Sequence, residues 1–261
     1  MYEGCAEVLV EKQDKILIIK FNNPRKKNSL NQNAYSAIGR IFRQAANDET
    51  LTTIVVTGTG DYFSSGNDLS QSPDITDVDE HVTKTTKNLA DMLSAVIDCP
   101  KIIIALVNGP SIGIGATLTG LCDIAWCTEN AYFLTPFTQL GIVPEAASSY
   151  LFPHLLGRSK ASEMLLCSEK MTASEAYHFG FVSKIFKSEE LDSIAWPKIR
   201  QFSELPPESV RVSKQLLRIN EVDSTYKAVR NECNELKKRF SSEEFMNAII
   251  QFATRKRSSK L

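Results

Sequence analysis

The chain has 261 residues, 43% of them hydrophobic, enough to bury a substantial core in one large domain or a domain with an appendage. Its 30 basic and 31 acidic residues leave a net charge of -1, so no global field draws it to nucleic acid or to an anionic membrane surface. An uninterrupted apolar run of about 18 residues is lacking, and the start, MYEGCAEVLVEKQDK, is charged where a secretion signal needs its hydrophobic segment; the expectation is a soluble, unsecreted chain without membrane insertion.

In chain order, EVLVEKQDKILIIKFNN reads as two strands around a polar turn, the second apolar enough to be buried, and NQNAYSAIGRIFRQAANDE follows with helical spacing. TTIVVTGTG is another buried strand ending in glycine turns. A long polar segment, SQSPDITDVDEHVTKTTKN, leads into the amphipathic run LADMLSAVID, and KIIIALVNG returns to strand character. Pro144 is placed to open a helix over EAASSYLFPHLL, which would put Glu145 in its first turn. From Pro206 and Pro207 onward, LPPESVRVSKQLLRI and YKAVRNECNELKKRFSSEEFMNAIIQFATRKR have helical periodicity and no strand candidate. Alternating strands and helices point to an α/β protein with a mainly parallel sheet, divided into a core at 1–200 and a helical C-terminal region at 201–261.

Two glycine-containing turns follow strands, YFSSGNDLS at 62–70 and NGPSIGIGATL at 108–118. Glycine lets a backbone approach a ligand, and a turn that enters a helix leaves N–H groups free to face an oxyanion or phosphate; each turn also reads as a plain tight connection. Neither is a GxxxxGK[ST] phosphate loop, GPSIGIG does not fit GxGxxG in register, and a GxSxG elbow is missing, which weakens nucleotide hydrolysis, NAD chemistry and a serine hydrolase as readings. The six cysteines are scattered without CxxC spacing and read as reduced thiols. His81, His154 and His178 lie beside no other ligand, which argues against a metal site. Glu145 sits among Ile142, Val143, Ala146 and Ala147. Apolar neighbours raise a carboxyl pKa and a helix N-terminus lowers it, so these residues alone leave both a proton-transfer group and an ordinary helix-start acid standing. The terminal Ser259-Lys260-Leu261 is the tripeptide that a peroxisomal import receptor reads.

FSSGNDL, VNGPSIGIGATL, CDIAW, TPFTQLGIVPE and MTASEAYHFGFVSKIF occur in an order and spacing that resembles the enoyl-CoA hydratase/isomerase (crotonase) family over nearly the whole chain. SSGNDL, TPFTQLG, the glutamate after Pro144 and the final SKL are most similar to its peroxisomal isomerases. The resemblance implies a crotonase-type ββα spiral core with a helical C-terminal extension that serves oligomerisation, as a homotrimer or dimer of trimers. It further implies an enzyme of peroxisomal fatty acid β-oxidation, in the matrix, that shifts the double bond of a 3-enoyl-CoA to give the trans-2-enoyl-CoA. The partners implied are a fatty acyl-CoA substrate and the peroxisomal import receptor, with no cofactor beyond the coenzyme A of the substrate.

Carried over by position, the resemblance makes the backbone N–H groups of Asn67 and Ile114 an oxyanion hole and Glu145 the proton shuttle between C2 and C4. Ser64, Ser65, Gly66, Asp68, Leu69, Gly113 and Gly115 would line the substrate, and Arg25, Lys26 and Lys27 would lie against the CoA nucleotide, with further charge from the basic C-terminal helix. Hydratases of the family need two glutamates, and their positions hold Thr117 and Phe137 here. Related isomerases often have glycine at Ala146, so its methyl is expected to bear on the acyl channel. Two alternatives remain beside isomerisation. One is a catalytically silent acyl-CoA-binding module, as in chromodomain Y-like proteins, which are similar through NGPSIGIGA and TPFTQLG. The other is a different crotonase reaction, hydration or dienoyl-CoA isomerisation. Related isomerases often carry an upstream acyl-CoA-binding domain, so the sequence is compatible with part of a longer protein.

Overall fold

The computed structural model describes residues 2–69 and 78–258. β1 (Val8–Gln13) and β2 (Ile16–Phe21) form the antiparallel hairpin read from the sequence, closed where Gln13 faces Ile16. β1 is the sheet edge and keeps polar side chains outward, whereas β2 is almost wholly buried. α1 (Gln32–Ala46) begins at Asn31, whose side chain accepts the Ala34 N–H, and buries Tyr35, Ile38, Ile41 and Phe42. β3 (Thr53–Gly58) then runs parallel to β2.

α2 (Val78–Ile97) starts well before the amphipathic run that the sequence suggests. Val82, Thr86, Leu89, Leu93 and Val96 are all buried, so a helical stripe runs through the polar stretch with a threonine as one of its members. Thr86 can be buried because its hydroxyl donates to the Val82 carbonyl at 2.9 Å. Residues 70–77 of that polar segment lie outside the described residues.

β4 (Ile102–Val107) lies parallel to β3, followed by β5 (Ser111–Ile112), α3 (Ile114–Leu121), β6 (Ile124–Thr128) and β7 (Tyr132–Leu134). α4 (Ser148–Leu165) opens later than Pro144 and bends at Gly157, where φ is 75°. β8 (Met171–Thr172), α5 (Ala173–His178) and β9 (Lys184–Phe186) complete the strands. The main sheet has the order β1-β2-β3-β4-β6-β9 and is parallel beyond the first hairpin. Near-continuous Ile, Val and Leu in β2, β3 and β4 suit a sheet covered on both faces. One face enters the main core, and the other packs Ile18, Val55, Ile104 and Trp126 against Ile199 of α6 (Trp196–Ser203). A small sheet, β5-β7-β8, pairs β5 parallel to β7, so the turns that follow these two strands leave from the same end.

The chain finishes with α7 (Pro207–Arg218), α8 (Val222–Phe240) and α9 (Glu243–Ser258). α8 packs on α2 and α4 and contributes Ala228, Val229, Cys233 and Leu236 to the main core. The apolar stripe of α8 is thus buried within its own chain. All six cysteines are free thiols. Among the described residues no helix is long and apolar enough to cross a membrane.

Candidate active site

The turn at 62–68 is held by side chains that spend their hydrogen bonds on backbone. Asn28, fully buried with φ at +55°, donates to the Thr59 and Tyr62 carbonyls at 2.8 and 2.6 Å. Ser64 Oγ donates to the Asn28 carbonyl at 2.8 Å and accepts the Gly66 N–H at 3.1 Å, while Ser65 Oγ donates to the Lys26 carbonyl at 3.0 Å. Both serine hydroxyls are therefore committed to the shape of the turn. Asn108 does similar work next door, accepting the Gly58 N–H at 2.9 Å and donating to the Gly60 carbonyl at 2.7 Å.

Gly66 (φ +88°) and Gly113 (φ +56°) touch: a Cβ on Gly113 would meet the Gly66 Cα at 3.6 Å, and one on Gly66 would meet the Ile112 carbonyl oxygen at 3.0 Å. Gly115 is similarly tight, since a Cβ there would stand 3.0 Å from that of Ser64. The 62–68 and 111–115 turns are thus one assembly, joined by a parallel bridge between Ser64 and Ser111. Neighbouring amides are used: Asp68 N–H donates to the Leu30 carbonyl at 2.9 Å and Gly113 N–H to the Leu134 carbonyl at 2.8 Å. The N–H groups of Asn67 and Ile114, by contrast, meet no acceptor among the described residues. Ile114 is the first residue of α3, where an N–H has no intrahelical partner, and it is fully buried. Two unpaired amides on abutting turns are what an anionic oxygen needs.

Glu145 lies on the segment that runs from β7 to α4, past Phe137 and the left-handed Gly141. It is not in the first turn of a helix, as the placement of Pro144 suggested. The Ser148 N–H instead donates to the Glu145 carbonyl at 3.1 Å across Ala146 and Ala147, both with φ at +58°, so a left-handed turn separates the acid from α4. Alanine gives no sequence signal for that conformation, which explains the difference. Glu145 is half-buried, with interior-like surroundings for its carboxyl, and no side-chain hydrogen bond to it is found among the described residues. Burial, reinforced by the charge of Glu232, pushes its pKa up to about 8. Of the two opposed effects weighed from sequence, burial wins, because the helix end that would have lowered the value is occupied by another group.

That group is Glu232, which sequence reading missed. It is buried on α8 and accepts the Ala147 N–H at 2.7 Å, the Ser149 N–H at 2.9 Å and the Ser149 hydroxyl at 2.5 Å. Tyr35 on α1 was missed as well: burial raises its phenol well above the ordinary value, and the charge of Glu145 adds to this, so the two groups are electrostatically coupled. In sequence both residues are members of helical stripes, with no feature that separates them from core and surface positions.

At the two hydratase positions, Thr117 is fully buried with its hydroxyl 3.4 Å from the Gly113 and Ile114 carbonyls, and Phe137 is buried too. The basic turn packs against the 62–68 turn: Lys26 pairs with Asp68 at 2.8 Å, Lys27 lies over the Tyr62 ring at 4.9 Å, and Arg25 is exposed. Leu69 is half-buried at the edge of the described segment. On the C-terminal helices Lys238 pairs with Glu235. Ser259, Lys260 and Leu261 lie outside the described residues, as do the side chains of Arg255 and Lys256.

The sheet order, the spiral of strand-strand-helix units and the paired glycine turns define a crotonase-type protein. A family model described as enoyl-CoA hydratase/isomerase matches residues 11–259, and the chain belongs to that family. Over 250 residues it is 41% identical to enoyl-CoA delta isomerase 2 of Rattus norvegicus, a match that covers 95% of this chain and 64% of that protein. It is 39% identical over 256 residues to the peroxisomal enoyl-CoA delta isomerase 3 of Mus musculus, covering 98% and 80%. The crystal structure of an enoyl-CoA hydratase/isomerase from Pseudoalteromonas atlantica T6c superposes with a TM-score of 0.87 at 29% identity, covering 95% of this chain and 97% of that one. The chain therefore spans about 64% of the length of the rat relative.

Proposed function

We propose that this protein is a Δ3,Δ2-enoyl-CoA isomerase, in which Glu145 removes a proton from C2 of a 3-enoyl-CoA and returns it to C4. In the first step the C2–H electron pair enters a dienolate, and negative charge collects on the thioester oxygen. The N–H groups of Asn67 and Ile114 hold that oxygen, each lowering the barrier by about 2.7 to 4 kcal/mol. In the second step C4 takes the proton from Glu145, the double bond settles between C2 and C3, and the carboxylate is regenerated. The observation that carries this reading is the pair of acceptorless amides on abutting turns. A carboxyl that titrates near 8 supports it, since one group must be both base and acid near neutral pH. Thr117 and Phe137, where hydration would need carboxylates, speak against adding water.

Under this reading Ser64, Ser65, Gly66, Asp68, Leu69, Gly113 and Gly115 shape the substrate channel, the serines through the turn that they hold. Arg25 is the member of the basic turn best placed to meet a CoA phosphate, since Lys26 is paired with Asp68. A peroxisomal site of action is supported by the name of the mouse relative and by the tripeptide Ser259-Lys260-Leu261. Assembly with further copies of the chain, as a trimer or dimer of trimers, is supported by exposed Leu216, Leu217 and Ile219 on and beside α7 and by Met246 and Ile250 on α9; light scattering reads the mass directly.

The test is turnover of 3-hexenoyl-CoA and longer homologues by wild type and Glu145→Gln. Wild type should form the trans-2-enoyl-CoA, and the variant should lose about 10²- to 10⁴-fold in kcat. Binding of CoA esters without turnover would replace the enzyme by a binding module, and undiminished turnover in Glu145→Gln would remove Glu145 as the base.

A further inference from the structure

We propose that Glu232 is the positioning residue for Glu145: from α8 its carboxylate clamps the left-handed turn that carries the base and so fixes the direction in which the base meets its substrate. The inference rests on the isomerase reading for its kinetic consequences and on geometry for its existence.

The turn at Glu145–Ser148 has two consecutive alanines at φ +58°. A non-glycine residue in this region is strained by its Cβ, so two in succession persist only where the surroundings hold them. The hold comes from Glu232. One carboxylate oxygen accepts the Ala147 N–H at 2.7 Å, and the other accepts the Ser149 N–H at 2.9 Å and the Ser149 hydroxyl at 2.5 Å. These are the orphan donors at the start of α4, and because both oxygens accept, the arrangement suits the ionised form facing the positive end of a helix. α8 is anchored in the core, since Ala228, Val229, Cys233 and Leu236 are buried around Glu232 and the Cys233 thiol rests 4.0 Å from the Thr86 carbonyl of α2. The helix at the end of the chain thereby reaches into the loop that holds the base.

Burial raises the Glu232 carboxyl's own pKa, against the hydrogen bonds from Ser149 and Ala147 that lower it, and in its ionised form Glu232 has a second effect on Glu145. Among the described residues the titratable groups whose charges couple to Glu145 are Tyr35 from α1 and Glu232 and Cys233 from α8, with Lys237 acting on Cys233 from one turn further along. After burial, the Glu232 charge is the contribution that raises Glu145. Clamp and charge can be separated by substitution: Glu232→Gln keeps the length and an accepting oxygen but removes the charge, whereas Glu232→Asp keeps the charge and shortens the reach.

The experiment measures kcat/KM against pH for 3-hexenoyl-CoA, together with direct titration of the Glu145 carboxyl by carbon-detected NMR on ¹³C-glutamate-labelled protein. Glu232→Gln should move the midpoint of both curves down by roughly one unit. Glu232→Asp should lower kcat roughly 10- to 100-fold with the midpoint in place. A residue that only stabilised the fold would lower the melting temperature and move neither midpoint. A folded Glu232→Gln with both midpoints unchanged overturns the inference. Should that variant not fold, Ser149→Ala carries the test, because it removes a donor at an exposed position; kcat should fall severalfold, and an unchanged kcat overturns the clamp. If wild type turns over and Glu145→Gln does not, while Glu232→Gln keeps the wild-type midpoint, this inference alone is lost. If wild type is inactive on every enoyl-CoA, the isomerase reading is lost, and the NMR titration still decides whether Glu232 acts on Glu145.

Discussion

The main-chain N–H of Ala147 meets the carboxylate of Glu232 at 2.7 Å, which ties the turn after Glu145 to a helix more than eighty positions further along the chain. The turn is left-handed at both of its central residues, and neither is glycine. Ala146 is 1% exposed and belongs to the main core, so its methyl packs inward while its backbone is held in the left-handed region.

Glycine at this place should therefore relieve strain. Ala146→Gly is expected to raise the free energy of unfolding by about 0.5 to 1 kcal/mol, the left-handed penalty of alanine being partly offset by the extra freedom of glycine in the unfolded chain. Urea denaturation reads this directly. A net loss of stability would mean that packing of the buried methyl outweighs the turn.

Glu145 also makes stability depend on pH. Its pKa is 4.5 for the ordinary group and about 8 in the folded protein, so the native state binds the extra proton between these values. Its contribution is fully present below about pH 4.5 and is lost as pH rises through about 8. Glu145→Gln cannot ionise, so its melting temperature should gain on that of wild type as pH is raised across this window. A difference that stays constant would place the pKa of Glu145 near its ordinary value.

Gly66→Ala should damage catalysis more than binding. Its φ of +88° suits glycine, and the added methyl would meet the Ile112 carbonyl oxygen at 3.0 Å, so the turn must shift and take the Asn67 N–H with it. Loss of one oxyanion donor lowers kcat by about 10²- to 10³-fold. Steady-state kinetics with 3-hexenoyl-CoA should show this fall with a much smaller change in KM; a normal kcat would remove Asn67 from the oxyanion hole.

Beyond the end of α3 opposite Ile114, Asp123 accepts the Ile103 N–H at 2.8 Å and pairs with Lys214 and Arg218 at 2.7 Å each, which fastens α7 to the sheet. The Lys214 side chain is 10% exposed, and its burial lowers its pKa against the opposing charge of Asp123. Asp123→Ala leaves that ammonium buried with the Lys101 carbonyl at 2.7 Å but without its counter-ion, with an expected loss of about 3 kcal/mol in urea unfolding. A loss under about 1 kcal/mol would mark the cluster as solvated, like an ordinary surface pair.

The strands and the two glycine turns were legible in the sequence because their signals are local. β2, β3 and β4 announce themselves as apolar runs, and FSSGNDL and GPSIGIG carry glycines where the chain needs positive φ or close approach. The start of α2 was not legible, because the stripe passes through Thr86, whose burial depends on a hydrogen bond to its own helix. Nor was the end of the Glu145 loop, because two alanines in the left-handed region look like any helix-forming pair.

By itself the amino-acid order determined the alternation of strand and helix, the paired glycine turns, the helical end of the chain, the absence of carboxylates at Thr117 and Phe137, and the lone acid at Glu145. Each of these is a property of residue type and near spacing. The tertiary structure alone decided that Gly66 meets Gly113, that the Asn67 and Ile114 amides find no acceptor among the described residues, and that Glu232 rather than Glu145 sits on the positive end of α4. It also decided the proton affinity of Glu145, because a pKa belongs to the surroundings of a group, and those surroundings come from α1 and α8, brought together only when the core closes.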